Sequence, residues 1–361
     1  MHVRLQLKTH YQIGKPGIFS VLLAKCTSPN QSNYPEVISD RLAKIDFETI
    51  AVNKESAKFA VVMAQSFGFL TKNMFWDDKG RAIAILLDET HRGAPSDYLR
   101  LTLPEKILYL KYYMEADGAT ILMICKGLKE KGRMTRQELL TSDFIDHIFV
   151  DIWVTYRQLT TDLPQKVQLK ESIRKLNSEH YKKKTRMHKT LAHISPLVDL
   201  ELVERQEGKN EISFTPKTYN SFSPIDVLIE ELKTVENMEI YFSKSRYFSL
   251  ISKLYNLGAV VYDPKNHAEI LRKMIFSTYQ KARTEPSKMA SIAVMSDVIG
   301  AKLLTDKAVI IERPQLEGEL DSLKAELKRG VYFHVDMQGR KAFVVFDDKL
   351  YKGGHSKASK S

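Results

Sequence analysis

EHYKKKTRMHKTLAHISPLVDLELVERQEGKNEISFTP, residues 179–216, is the stretch on which the reading of this chain turns. A basic run opens it, an apolar phrase follows, and two segments of alternating apolar and polar residues flank the polar turn QEGKN. Alternation with a period of two turns one face of each segment inward, so LELVER and EISFTP are predicted as the strands of a hairpin. The run ahead of them is read as a helix. On it Lys182, Arg186 and Lys189 share one face, with Lys183, Lys184, Thr185 and His188 beside them.

Working outward, the N-terminal part supplies three candidate helices. An apolar segment from Ile18 to Ala24 comes first, then YPEVISDRLAKI, and then KESAKFAVVMAQSFGFL, with Asn53 as its N-cap and Gly68 at its end. TKNMFW and RAIAILLD follow, joined by Asp77, Asp78, Lys79 and Gly80, a pattern that predicts a second hairpin. In the middle, LTLPEKILYLKYYMEADGATI reads as a helix entered through Pro104, GLKEKGRMTRQELL as a turn and a short helix, and DFIDHIFVDIWVTYRQL as a helix buried between neighbours. Beyond 220, ENMEIYFSKSRYFSLISKLYNLG and KNHAEILRKMIFSTYQKAR read as helices whose Tyr241, Tyr247, Tyr255 and Tyr279 pack inside. The last block gives a helix through MASIAVMSDVIGAKLL, a short strand AVIIER, a helix PQLEGELDSLKAEL and the hairpin VYFHVDMQGRKAFVVF.

A helix followed by a hairpin resembles the second half of a winged helix, and the first and last blocks resemble the same superfamily in coarser form. The resemblance implies binding to double-stranded DNA, because a helix fits the major groove while a hairpin beside it reaches backbone or minor groove. Lysines and the Thr185 hydroxyl suit phosphate, and Arg186 can fork onto a guanine edge. Lys209 and Asn210 fall at the wing tip, and Lys54, Lys58 and Lys72 are the first block's contribution. The helix before the last hairpin carries Glu317, Glu319, Asp321 and Glu326, which DNA repels, so that module is expected to hold domains or subunits together.

Charge agrees with this expectation. The chain of 361 residues has a formal net charge of +11, and nine Lys or Arg stand against two Glu between Gln165 and Lys189. A polyanion rewards each cation that replaces a condensed counterion; the alternative for a basic run is a solvated helix face. Cys26 and Cys125 are too few for a disulfide framework or a paired-cysteine zinc site, and both are expected as buried thiols. His180, His188 and His193 lie among lysines that would repel a metal ion. GxxxxGK[ST] and GxGxxG loops are absent. Glu231-Leu232-Lys233 and Glu326-Leu327-Lys328 have a nuclease-like Glu-x-Lys form, but both fall in predicted helices instead of on the strand that chemistry requires. No apolar run of the length a spanning helix needs is present, and no secretory signal opens the chain, so a cytoplasmic, or in a prokaryote nucleoid-associated, protein is expected.

The sequence therefore predicts a mainly α fold with small β-hairpins, tandem winged-helix domains joined by a helical region. Expected divisions are 1–95 and 100–220, each a winged helix, a connector over 221–286, a third winged helix over 287–348, and a basic tail over 349–361. The expected function is non-catalytic binding of double-stranded DNA without a cofactor, as in a transcriptional regulator. Alternatives are a recognition or scaffold subunit of a larger nucleic-acid complex (restriction, phage defence, recombination or chromosome maintenance) and an unrecognised nuclease. A protein partner or homodimer is expected through the helical and C-terminal regions, and no membrane.

Overall fold

A helix whose residues are apolar on every side has to be covered on every side, and the segment LPEKILYLKYYMEADGATILMICKGLKEK is such a helix. In the computed structural model it forms α5, Leu103–Lys131, entered through a capping box of Thr102 and Glu105 and ended by Gly132 at φ 71°. The structure describes residues 15–28, 34–48, 51–90, 92–159, 163–178, 193–209, 211–219, 222–235, 238–243, 246–327 and 330–347.

Ahead of α5 stand α1 (Pro16–Val21, continued by a wider turn through Cys26), α2 (Pro35–Ala43), α3 (Lys54–Ser66) and α4 (Asp78–Glu89). After it come β1 (Met134–Thr135), α6 (Arg136–Leu139), α7 (Ser142–Leu159), α8 (Leu163–Ser178), α9 over 193–199, β2 (Val203–Glu207) and β3 (Ile212–Pro216). The C-terminal part comprises α10 (Pro224–Leu232), α11 (Met238–Ser243), α12 (Tyr247–Leu254), β4 (Val260–Val261), α13 (Pro264–Ala282), β5 (Arg283–Thr284), β6 (Met289–Ser291) and α14 (Ile292–Lys307). It closes with β7 (Val309–Ile310), α15 (Arg313–Leu327), β8 (Val331–Val335) and β9 (Lys341–Phe346).

The described residues are mainly helical with three small sheets, ordered β1-β3-β2, β4-β7 and β5-β6-β9-β8. Two of them share a plan. In each, a short strand pairs with the second strand of a later hairpin: β1 with β3, Met134 opposite Phe214, and β6 with β9, Ser291 opposite Phe343. In each, the strand's last residue then caps the next helix, Thr135 accepting from Glu138 N and Ser291 from Val294 N. The described helices include none long and apolar enough to cross a membrane.

One continuous core runs from Ile18 to Phe346. Near α5 it is aromatic. Phe67 lies 4.6 Å from Tyr113 between ring centres, Phe19 lies 5.2 Å from Phe69, and the Tyr109 hydroxyl is 2.8 Å from Ser20 Oγ. Tyr247 and Tyr279 are buried as expected, Cys26 and Cys125 are both buried thiols, and Asn53 caps α3 through Ser56 N at 2.8 Å.

The first expected hairpin is not there. Residues 78–89 are α4, capped by Asp77, and only an isolated bridge between Leu70 and Trp76 remains of the pairing. Ala82 to Leu87 are all buried, so the apparent alternation of RAIAILLD reflects a helix covered on all faces, where periodicity carries no signal. Gly80 is not a turn residue: its missing side chain lets the first turn of α4 lie against the Phe69 carbonyl. Two smaller expectations also change. Residues 127–131 continue α5 instead of forming a turn, and α7 is not covered on all sides, since Val150 and Val154 are exposed.

Gly80→Ala decides between these readings of Gly80. Helix propensity alone favours alanine by about 1 kcal/mol. A methyl group here would overlap the Phe69 carbonyl, and overpacking of that kind costs about 1–3 kcal/mol. Urea denaturation is expected to show net destabilisation, and a stabilised variant would contradict the close approach.

Candidate nucleic-acid interface

The stretch with the largest charge surplus lies in sequence between the described parts of α8 and α9. After it stands His193, the first described residue of α9. It is buried, and its Nε2 donates to Asp117 Oδ2 at 2.7 Å. Asp117 lies inside α5 with non-helical angles (φ −150°, ψ 37°), and its other oxygen accepts from Thr120 Oγ1 at 2.6 Å. The kink and the hydrogen bonds belong together: a carboxylate this deep is tolerated only when its lone pairs are used. His193 thus engages Asp117, and the described residues contain no group of three metal-ligating side chains.

At the N-terminal end, α8 packs inward through Leu169 and Ile173 and exposes Lys170 and Arg174, with Lys166 half-buried. These three cations stand four residues apart, so they line one side of the helix. None has an ion-pair partner among the described residues, and each belongs to the basic surplus counted from Gln165 to Lys189. Other nearby lysines are paired. Lys126 reaches Asp151 at 3.5 Å, Lys129 reaches Asp226 at 2.9 Å, and Glu201 takes Lys106 at 2.8 Å and Lys217 at 3.5 Å.

Lys182, Lys183, Lys184, Thr185, Arg186, His188 and Lys189, together with His180 and Asn210, lie outside the described residues. The hairpin expected after them is present, with Arg205 opposite Phe214 and Glu207 opposite Ile212. Lys209 is exposed at its tip. The hairpin itself is of mixed charge: Arg205 is held by Glu207 at 2.6 Å and Arg133 reaches Glu211 at 3.7 Å. In the first block Lys54 pairs with Asp40 at 2.9 Å, and Lys58 adds to the field that, with the Lys54 hydrogen bond, keeps the Asp40 carboxyl below its ordinary value. Lys58 and Lys72 are exposed, Lys72 in the turn before α4.

Sequence reasoning counted Lys166, Lys170 and Arg174 without assigning them to the site. Their i, i+4, i+8 spacing was the available signal. The acidic residues of the last helix are engaged: Arg272 holds Glu319 and Glu326, each at 2.6 Å, Lys341 holds Asp321 at 2.5 Å and Arg313 holds Glu317 at 2.7 Å. Glu231 lies in α10, with Lys253 at 2.6 Å, and Glu326 lies in α15, so neither Glu-x-Lys triplet begins on a strand. Comparison of the chain with protein-family models, curated proteins and solved structures gave no match.

The His193–Asp117 pair makes a test of how the basic segment is anchored. His193→Ala leaves a buried carboxylate short of a partner, a defect that costs about 3–5 kcal/mol when a buried pair is broken. Equilibrium denaturation is expected to register that loss. A change below about 1 kcal/mol, within the range of ordinary surface substitutions, would show that the pair does not secure α9.

Proposed function

We propose that the chain binds double-stranded DNA through the winged-helix-like unit closed by the β2–β3 hairpin and catalyses no reaction on it. The observation that carries this reading is the basic side of α8, Lys166, Lys170 and Arg174, without ion-pair partners among the described residues and followed in sequence by the basic run 182–189 and the β2–β3 hairpin. Lysines in that position gain by displacing counterions from phosphates, while their neighbours on α5 are already neutralised by carboxylates. The β1-β3-β2 order supports a winged-helix assignment, because β1 ties the hairpin to the helices that precede it. In this reading the segment around Lys183, Arg186 and Lys189 enters the groove, and Lys58, Lys72 and Lys209 add peripheral phosphate contacts. Transcriptional control is one use of such a protein.

A second reading, a recognition or scaffold subunit of a larger nucleic-acid complex, is favoured by the exposed Val150 and Val154 on α7 and Leu163 and Val167 on α8. Each pair is spaced four residues apart on its own helix, and exposed apolar side chains that share a helix face mark contact surfaces.

Fluorescence anisotropy against random duplexes over a series of salt concentrations tests the first reading. Binding is expected to weaken steeply with salt, and the Lys183/Arg186/Lys189 triple alanine variant to lose affinity and about one unit of salt slope per phosphate contact removed. The Lys166/Lys170/Arg174 triple alanine variant is expected to lose slope too. Unchanged affinity in both folded variants would overturn the site, and absence of binding at low salt would favour the subunit reading.

A further inference from the structure

A cavity of about 230 Å³ lies where α4 and α5 meet α11, α12, α14 and the start of α15. It adjoins an open groove of about 600 Å³ with which it shares Asp78, Ala293 and Arg313, so solvent has a way in. Five carboxylates, Asp78, Glu115, Glu239, Asp297 and Glu312, line it against the three cations Lys79, Lys111 and Arg313. Much of this charge is internally satisfied. Lys111 pairs with Asp297, Tyr112 Oη donates to Asp297 Oδ2 at 2.7 Å, and Lys79 reaches Glu115 at 2.6 Å.

Three groups are not satisfied in that way. Glu312 is only 7% exposed and accepts the Ser249 backbone N–H at 3.1 Å; Lys111 lies within its field but is paired with Asp297, and no ion pair reaches Glu312 among the described residues. Asp78 accepts from Ser291 Oγ at 2.8 Å and likewise has no ion-pair partner there. Ser296 is 6% exposed, lines the cavity, and has no side-chain hydrogen bond to any described residue. Burial pushes Glu312 up to about 7 and raises Asp78. The remaining wall includes Phe242, Tyr247 and Phe248. Carboxylates facing aromatic rings are the environment that recognises an organic cation.

We propose that this cavity binds a small organic ammonium, an alkyl monoamine or diamine, with its N–H groups on Glu312, Asp78 and the Ser296 hydroxyl and its methylenes against Phe248 and Tyr247. A bare metal ion would use neither the aromatic wall nor the volume, and the described residues form no cluster of three metal ligands. The site joins α4 and α5 to α14 and α15, so a bound amine stabilises the contact between the first and last parts of the chain. The inference does not rest on the DNA reading.

The groups facing Glu312 fix the sign of the pH dependence. Lys111 lowers its pKa and Asp297 raises it, while Lys79, Glu115, Asp78, Glu239 and Arg313 complete the lining. Glu312 must ionise to hold an ammonium, and alkyl ammonium groups stay charged well above neutrality, so affinity is expected to rise as pH increases through about 7.

Isothermal titration of the full chain with 1,4-diaminobutane and n-butylamine, with n-butanol and magnesium chloride as controls, is the experiment. Expected are saturable binding of at least one amine, no binding of butanol, and affinity about tenfold higher near pH 8 than near pH 6. Glu312→Gln is expected to weaken binding and flatten its pH dependence; Ser296→Leu, which fills the cavity, should abolish binding even where Glu312→Gln fails to fold. No saturable amine binding, equal binding of butanol, magnesium binding in place of the amines, or unaltered affinity in folded Ser296→Leu would overturn the proposal.

Discussion

Burial of α5 on almost every side is the constraint from which the remaining structure follows. A lone apolar helix would need only a greasy coat, but this one carries Glu105, Lys111, Tyr112 and Asp117 into the interior, and each polar group left without a partner there costs free energy. Their partners come from distant segments. Arg92 gives Nη2 to Glu105 at 2.7 Å, Asp297 takes both Lys111 and Tyr112, and His193 closes on Asp117. Even the backbone is used in this way, since Tyr247 donates to the Ile107 carbonyl. Each of these bonds pins a different part of the chain to the same helix, and together they set where α9, α12 and α14 sit.

That dependence explains which features the sequence revealed. Helices with one apolar stripe, such as α13 with Leu271, Ile275, Thr278 and Tyr279 buried, are legible because the stripe repeats with the helical period. Hairpins with polar turns, QEGKN and DMQGR, are legible for the corresponding reason at a period of two. The α4 segment failed because its apolar residues face neighbours in all directions, and Gly80 mimicked a turn while serving a close approach to Phe69. The Asp117 kink left no local trace. Its cause is His193, 76 residues away, and only the folded chain brings the two together. The cavity was invisible likewise, because Asp78 and Glu312 become neighbours of one space only through packing.

The two sheets built on a common plan differ in what surrounds their hairpins. Ahead of β2–β3 the cations Lys166, Lys170 and Arg174 of α8 have no ion-pair partner among the described residues, whereas ahead of β8–β9 the acids of α15 are held by Arg272, Arg313 and Lys341. Arg272 is stapled to both Glu319 and Glu326, and Glu319 also accepts from the Tyr262 hydroxyl at 3.1 Å. This network joins α13 to α15 and leaves the last helix with little charge to offer a partner. The same secondary-structure plan is therefore tuned for internal cohesion in one place and left electrostatically open in the other.

The location of the open charge follows from this pairing. Most acids among the described residues are set against lysines and arginines, and the net +11 is unevenly distributed along the sequence. By sequence, 1–14, 179–192 and 348–361 contribute +2, +4 and +3, nearly all of the excess, and the α8 cations abut the second of these. Surface pairs within the body are individually weak, about 0–1 kcal/mol, yet they neutralise the field around it. The excess of positive charge is therefore concentrated in a few stretches of the sequence although the overall composition is ordinary.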